Sequence, residues 1–176
     1  MIKYKKSQHE TVGFVLIILI VAIIGLVFLW FFLRAPNTPQ NSLISSNLLQ
    51  SSLYYTTDCY NSYIPNYKSG GDLIKSCYKN PYQTCEDSRT YCEALNQTFK
   101  KIISDSLNVG DDVPIKGYKL RMYYDRVGTE DPYDEFFNLN EGKFSNCTQR
   151  EGGSRSIYLD SGNIEIKLEL CKKIGN

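Results

Sequence analysis

Histidine is nearly missing from this chain of 176 residues, since His9 is the only one. The part beyond residue 34 therefore lacks a Ser-His-Asp triad, a Cys-His pair and a histidine-ligated zinc. No phosphate-binding loop, dinucleotide fingerprint, GxSxG elbow or C-x-x-C pair is present either. These absences indicate a protein that is not an enzyme and needs no cofactor. A hydrolase that works with two carboxylates stays open as an alternative.

An excess of positive charge is also lacking in the larger part of the chain. Residues 35–176 carry sixteen Lys or Arg and eighteen Asp or Glu side chains, a net charge of −2. Nucleic-acid binding depends on a basic surface that neutralises phosphates. We therefore expect no nucleic-acid partner.

What the chain does contain is one long apolar run, from Val12 to Leu33, without a charged side chain. As a helix it would be roughly 33 Å long, enough to cross a hydrocarbon core of about 30 Å. The run is longer than a secretory signal core, and no small-x-small cleavage site follows it. Three lysines precede it and only Arg34 follows directly, which predicts a cytoplasmic N-terminus and an extracellular C-terminal part. The alternative of a buried core helix conflicts with the small size of the chain.

The apolar run divides the chain into four segments. Residues 1–11 are a cytoplasmic leader, 12–33 a transmembrane helix, 34–42 a linker with two prolines, and 43–176 an extracytoplasmic domain. This organisation predicts a single-pass protein of the cell membrane with lipid as one partner.

Cysteine usage supports an extracytoplasmic location for the domain. All six cysteines lie beyond the apolar run, at Cys59, Cys77, Cys85, Cys92, Cys147 and Cys171. An even number in a small exported domain predicts three disulfides, with free or metal-bound thiols as the alternative. Fifteen pairings are open to six cysteines. We select Cys147 with Cys171 as the best single pair, because a C-terminal strand would bring them together.

Two further sequence features concern glycosylation and surface contact. The sequons at Asn96 and Asn146 are candidate glycosylation sites. Eight of the fourteen tyrosines lie between Tyr54 and Tyr91. Tyrosines in loops form either a recognition surface or part of the core. The interaction candidates are Tyr60, Tyr63, Tyr67 and Tyr82, whereas Tyr118 and Tyr124 are predicted core residues.

The densest acidic stretch contains Asp131, Asp134 and Glu135 in a predicted loop. Such carboxylates could coordinate Ca²⁺, although their spacing differs from that of an EF-hand. The alternative is a solvated hairpin loop, and we expect no other metal site.

Helical patterns occupy the first half of the predicted domain. Leu43 to Tyr55 has an apolar stripe that begins with Leu43 and Ile44, and a short helix is expected from Asp72 to Asn80. A longer helix follows, with Thr84 and Asp87 as its capping box. The intervening segment from Cys59 to Gly71 is expected to be a loop.

Alternating patterns occupy the second half. Apolar side chains recur at every second residue over 118–124 and over 164–170, which predicts two half-buried strands. Residues 156–159 are expected to pair with the last strand through a turn at 160–163, and a further short strand is expected near 135–139 or 143–147. The domain is therefore predicted to be α+β, with helices first and an antiparallel sheet second.

Lys5, Lys6 and Ser7, followed by Gln8 and an apolar helix, resemble the N-terminus of archaeal type IV pilin-like proteins. The resemblance covers about the first 33 residues. It implies cleavage between Ser7 and Gln8 by a membrane-embedded prepilin peptidase, and a helix that lies in a filament core or, before assembly, in the membrane. It makes Glu10 the candidate for a contact with a neighbouring subunit.

Three functional hypotheses follow from the sequence. The first is a membrane-anchored, pilin-like protein with a structural, assembly or surface-contact role, whose partners are lipid and other pilin-like subunits. The second is a monomeric binding module on a simple signal anchor, with a protein or glycan ligand. The third is a carboxylate-dependent hydrolase of the cell envelope.

Overall fold

The computed structural model of this protein consists of two units, Met1–Thr38 and Pro39–Asn176. It describes residues 6–33, 40–41, 43–61, 66–126 and 134–175. The first unit contains one helix, α1 (Lys6–Leu33). A helix that is apolar on every side has no polar face to turn towards water. The apolar helix predicted from the sequence is confirmed.

The second unit has helices first and strands second, so the α+β prediction is confirmed. Two short strands pair with each other, and the four long strands form an antiparallel sheet. In chain order the elements are β1 (Gln40–Asn41), α2 (Leu43–Tyr54), β2 (Thr56–Tyr60), β3 (Tyr67–Ser69), α3 (Gly70–Lys79), α4 (Tyr91–Ser106), β4 (Gly117–Arg126), β5 (Asp134–Gly142), β6 (Cys147–Leu159) and β7 (Gly162–Ile174).

The four long strands lie in the order β6-β7-β4-β5, and β1 adds two residues parallel to β6. Alternate side chains of the central strands β4 and β7 are buried in one core together with apolar side chains of α3 and α4. Tyr118 and Tyr124 belong to this core, as predicted. The turn between β6 and β7 places Leu159 opposite Gly162, and β5 is the further strand expected near residues 135–139.

A bulge in β5 supplies additional aromatic contacts to the core. Opposite Met122 and Tyr123 of β4, the strand β5 contains one extra residue, Phe136. The ring centroid of Phe136 lies 5.1 Å from that of Tyr78, which stacks on Tyr124 at 4.4 Å. The extra residue thereby joins the edge strand to helix α3.

The predicted start of the longest helix in the second unit is wrong. Thr84 pairs with Thr90 in an isolated bridge, so the segment between them is a closed turn and not a helix. Helix α4 begins at Tyr91. The side chain of Thr90 accepts a hydrogen bond from the backbone N–H of Glu93, and the Glu93 carboxylate accepts one from the backbone N–H of Thr90. This reciprocal pair is the capping box.

The segment predicted as a loop from Cys59 to Gly71 contains regular structure. Strands β2 and β3 pair antiparallel, and the Thr57 hydroxyl donates a hydrogen bond to the carbonyl oxygen of Lys68. Helix α3 follows directly, because the Ser69 side chain caps it by accepting from the N–H of Asp72. The helix therefore begins two residues earlier than predicted.

Helix α2 buries only part of the apolar stripe predicted for it. Leu43 and Ile44, the first residues of the expected apolar stripe, are exposed. The buried side chains are Ser45, Leu49 and Ser52. The small side chains let the helix backbone approach the sheet closely, and Leu48 and Leu53 pack against the same core from the edges of this face.

The close approach depends on Gly153 of β6. A Cβ atom at this position would lie 2.7 Å from the backbone nitrogen of Ser46. We expect Gly153→Ala to lower the free energy of unfolding by about 1–3 kcal/mol, because helix α2 must move away from the sheet. Denaturant unfolding measures the difference. Gly110→Ala is the matched control, since the nearest atom to its Cβ would be 3.7 Å away, and an equal loss in both variants would contradict the prediction.

All six cysteines form disulfides, so the predicted three cross-links are confirmed. The pairs are Cys59–Cys85, Cys77–Cys92 and Cys147–Cys171, the last of which is the pair that we selected from the sequence. The first two have overlapping loops: Cys59–Cys85 connects the hairpin to the turn before α4, and Cys77–Cys92 connects α3 to the first turn of α4. The third connects the start of β6 to the buried end of β7.

Candidate functional sites

Helix α1 presents an apolar surface on all sides within its unit. Its segment Gly13–Trp30 has a mean hydropathy of 3.1, and none of it is buried. Its large apolar side chains are between 46% and 67% exposed. By length and composition this helix can cross a membrane. It is an N-terminal anchor or signal helix attached to a disulfide-bonded domain of extracellular type.

The residues implied by the pilin resemblance lie at the beginning of this helix. The backbone of Ser7, Gln8 and Glu10 is helical within α1. Lys5 lies outside the described residues. Cleavage between Ser7 and Gln8 stays a prediction.

The candidate interaction tyrosines differ in exposure. Tyr82 is 91% exposed on the turn after α3. Tyr60 and Tyr67 face each other across the β2–β3 hairpin with ring centroids 5.2 Å apart, and Tyr60 is half-buried. Tyr63 lies outside the described residues. Tyr158, which the sequence did not single out, is 78% exposed on β6.

The two sequons occupy different local structures. Asn96 lies inside α4 with a half-buried side chain, in a groove beside Phe136 and Phe137. Asn146 is exposed in the turn before β6, where its carbonyl oxygen accepts a hydrogen bond from the N–H of Gly175. A glycan attached at Asn146 would extend into solvent, so the geometry favours this sequon.

The acidic calcium candidates are only partly described. Asp131 lies outside the described residues. Asp134 and Glu135 begin β5, both exposed, and Glu135 accepts a hydrogen bond from the Asn138 amide at 2.6 Å. Within the described ranges, no three His, Cys, Asp or Glu side chains are close enough to hold a metal ion.

The sheet face opposite the core carries paired charges. Arg121 donates to the Glu169 carboxylate at 2.8 Å, and Lys167 lies 3.3 Å from Glu165. The Arg121 and Lys167 cations lie 5.5 and 5.6 Å from the centre of the Tyr123 ring. On the described part of this face, each of these two cations therefore has a carboxylate partner.

A cleft that sequence reasoning missed lies between the C-terminal half of α4, the 107–116 segment and the end of β5. Its volume is about 760 Å³, within the range of roughly 300–1,000 Å³ that small-molecule sites occupy. Three lysines line it, Lys100, Lys116 and Lys143, together with Asp111 and Glu141. They are far apart in the sequence and share no motif, so only the tertiary fold brings them together.

Tyr118 lines the same cleft from the first residues of β4. It is only 2% exposed, and its hydroxyl has no hydrogen-bond partner among the described residues. Burial raises the pKa of this phenol to about 12, and the nearby Glu141 carboxylate adds to the shift. At neutral pH the hydroxyl is therefore protonated and able to donate.

Comparisons with known proteins do not assign the chain to a family. No family model, no curated protein and no solved structure matches it. The functional reading therefore depends on helix α1, the disulfide-bonded domain and the geometry of the clefts.

Proposed function

We propose that the protein is a single-pass, membrane-anchored, pilin-like protein whose domain lies outside the cell. Its role is structural, in assembly or in surface contact, and it is not catalytic. The observation that carries the proposal is the exposed apolar surface of α1, because an apolar helical segment of 18 residues, about 27 Å long, is stable in water only when something covers it. A lipid bilayer or neighbouring helices of the same type provide that cover.

The disulfides support the external location of the domain. Cross-links of this number form and persist in oxidising compartments and are rare in a reducing cytoplasm. The three lysines before the apolar run favour retention of the N-terminus on the cytoplasmic side. Together these features support an orientation with the domain outside.

The pilin-like assignment adds a processing step and a mode of association. Lys5, Lys6 and Ser7 would end a short leader, and Gln8 would begin the mature chain. Helix α1 would then pack against the same helix of other subunits, with Glu10 near the new N-terminus. Deletion of residues 8–33 would abolish this association.

N-terminal processing provides the direct test. In protein recovered from its native membrane, we expect the intact mass and the N-terminal sequence to begin at Gln8, because the resemblance implies cleavage after a small residue. Ser7→Ala keeps a small residue before the cut and should be cleaved, whereas Ser7→Ile should not. A chain that begins at Met1 in the unsubstituted protein would reject the pilin-like assignment and leave the membrane anchor standing.

The exposed tyrosines favour a second candidate, a monomeric binding module on a simple signal anchor. Tyr82 and Tyr158 present most of their surface to solvent, and tyrosine supplies contact area at low entropic cost. The two candidates differ in association. A monomer in non-ionic detergent with an intact N-terminus would favour the binding module, and helix-dependent oligomers would favour the pilin-like protein.

A further inference from the structure

The buried hydroxyl of Tyr118 is an unexplained feature of the core. A hydroxyl that loses water without gaining a partner costs roughly 1–3 kcal/mol. Replacement by Phe would remove that cost, so the hydroxyl indicates a partner that is not part of the described chain. Because the phenol stays protonated and can donate, we expect this partner to be an oxygen atom that accepts a hydrogen bond.

The charges around the cleft suit an anion. The ammonium group of Lys100 lies 2.5 Å from the Glu141 carboxylate, and that of Lys143 lies 2.8 Å from Asp111. The ammonium group of Lys116 donates to the backbone carbonyl of Asp111, so it has no carboxylate of its own in the cleft. Three cations therefore face two carboxylates. Exposed ion pairs of this kind are weak and exchange readily.

The backbone that carries two of these lysines is held in place. The N–H of Lys143 donates to the carbonyl of Lys116 at 2.9 Å, and the N–H of Lys116 donates to the carbonyl of Cys171 at 2.7 Å. Gly142, the last residue of β5, has a φ angle of +75° and turns the chain into Lys143. The Cys147–Cys171 disulfide fixes the strand behind them. A site on an anchored backbone loses little entropy when it binds.

Part of the remaining wall is apolar. Leu107, Val109 and Val113 line the cleft beside the uncharged polar side chains of Ser104 and Asn108. Ligand sites commonly combine such walls with a few polar groups that fix orientation. The cleft therefore suits a ligand with a charged end and an uncharged, largely apolar body.

We propose that this cleft binds a small organic anion, a carboxylate or a phosphate on an apolar body. Lys100, Lys116 and Lys143 hold the charged group, and the Tyr118 hydroxyl donates a hydrogen bond to one of its oxygens. Binding displaces Glu141 and Asp111 from their lysine partners. The proposal is independent of how the N-terminus is processed.

The test uses the full chain in non-ionic detergent with ¹³C at the Cζ atoms of its tyrosines. Tyr118→Phe identifies the Tyr118 resonance by its disappearance.

Benzoate, phenyl phosphate and neutral benzamide are the probes, because they share a ring and differ in the charged group. We expect saturable shifts of the Tyr118 resonance with at least one anion, with Kd on the order of 1 mM or tighter, and none with benzamide. The anion that binds with the lower Kd shows whether the cleft prefers a carboxylate or a phosphate.

Lysine variants separate a built site from general charge attraction. Lys100→Gln and Lys143→Gln should each weaken binding roughly five- to tenfold, since each removes a charged hydrogen-bond donor. Lys101→Gln removes the neighbouring exposed lysine of α4, which does not line the cleft, and should leave the affinity unchanged. Equal weakening by Lys101→Gln, an equal response to benzamide, or no saturable shift with either anion would overturn the proposal.

Discussion

Reduction of the three disulfides is expected to unfold the domain Pro39–Asn176 at physiological temperature. The cross-links span 26, 15 and 24 residues. Loops of these sizes are worth about 3–3.5 kcal/mol each in the chain-entropy account. The first two loops overlap, so their contributions are not fully additive. Even so, their sum, at most about 10 kcal/mol, is comparable to the 5–15 kcal/mol by which a typical domain is stable.

Circular dichroism with and without reductant measures this effect. We expect the thermal midpoint of the helical signal to fall to or below physiological temperature when reductant is present. Reduced and alkylated protein separates loss of the cross-links from disulfide exchange. The double variant Cys147→Ser with Cys171→Ser removes only one disulfide. Its thermal midpoint should therefore fall by about one third of the decrease that full reduction causes. A midpoint that does not change on full reduction would mean that the apolar core alone stabilises the domain.

Two arginines in the middle of α1 are expected to release the protein from the membrane. Fourteen residues of the segment Gly13–Trp30 are Leu, Ile, Val or Phe. At about 0.3–0.6 kcal/mol each, they favour insertion by about 6 kcal/mol. One central arginine costs about 3 kcal/mol and leaves insertion favourable, whereas two cancel the gain. Leu19→Arg alone should therefore stay in the membrane, and Leu19→Arg combined with Ile23→Arg should not.

Alkaline extraction of isolated membranes followed by immunoblotting distinguishes the two variants. The double alanine variant Leu19→Ala with Ile23→Ala is the matched control and should remain in the membrane fraction. If the double arginine variant is retained as firmly as the control, the helix is not held by lipid. The protein would then be retained by contact with other membrane proteins and not by a helix embedded in lipid.

The sequence predicted those elements whose signal is local and periodic. The alternation over 118–124 and 164–170 predicted β4 and β7, because a half-buried strand must turn every second side chain into the core. The apolar run predicted α1 through its length, because an uninterrupted run of this length matches a helix that crosses a membrane. The pairing of Cys147 with Cys171 followed from the position of the last strand.

The sequence failed where a tertiary contact decided the local structure. Thr84 is a good capping residue, but the Cys59–Cys85 disulfide and the bridge to Thr90 hold its segment in a turn. Leu43 looked like a core residue, yet α2 approaches β6 through serines and a glycine. Neither outcome is encoded in the residues adjacent to these positions.

The candidate site depended even more on tertiary structure. Lys100 comes from a helix, Lys116 from the segment before β4, and Lys143 from the residue after β5. Exposed lysines are common, so no single one of them is a signal. Tyr118 was correctly predicted to be buried, but only the surrounding packing reveals that its hydroxyl has no partner in the described chain.

The positions of the cross-links determine how the protein bears mechanical load. A pull transmitted along the chain from α1 meets β1 and α2 before it meets a covalent tie at Cys59. The part of the domain ahead of Cys59, which contains β1 and α2, has no covalent tie to the rest of the domain. Strand β1 is held to β6 over two residues only. We therefore expect a force applied through α1 to separate β1 from the sheet first, and the cross-linked part of the domain to resist the pull for longer.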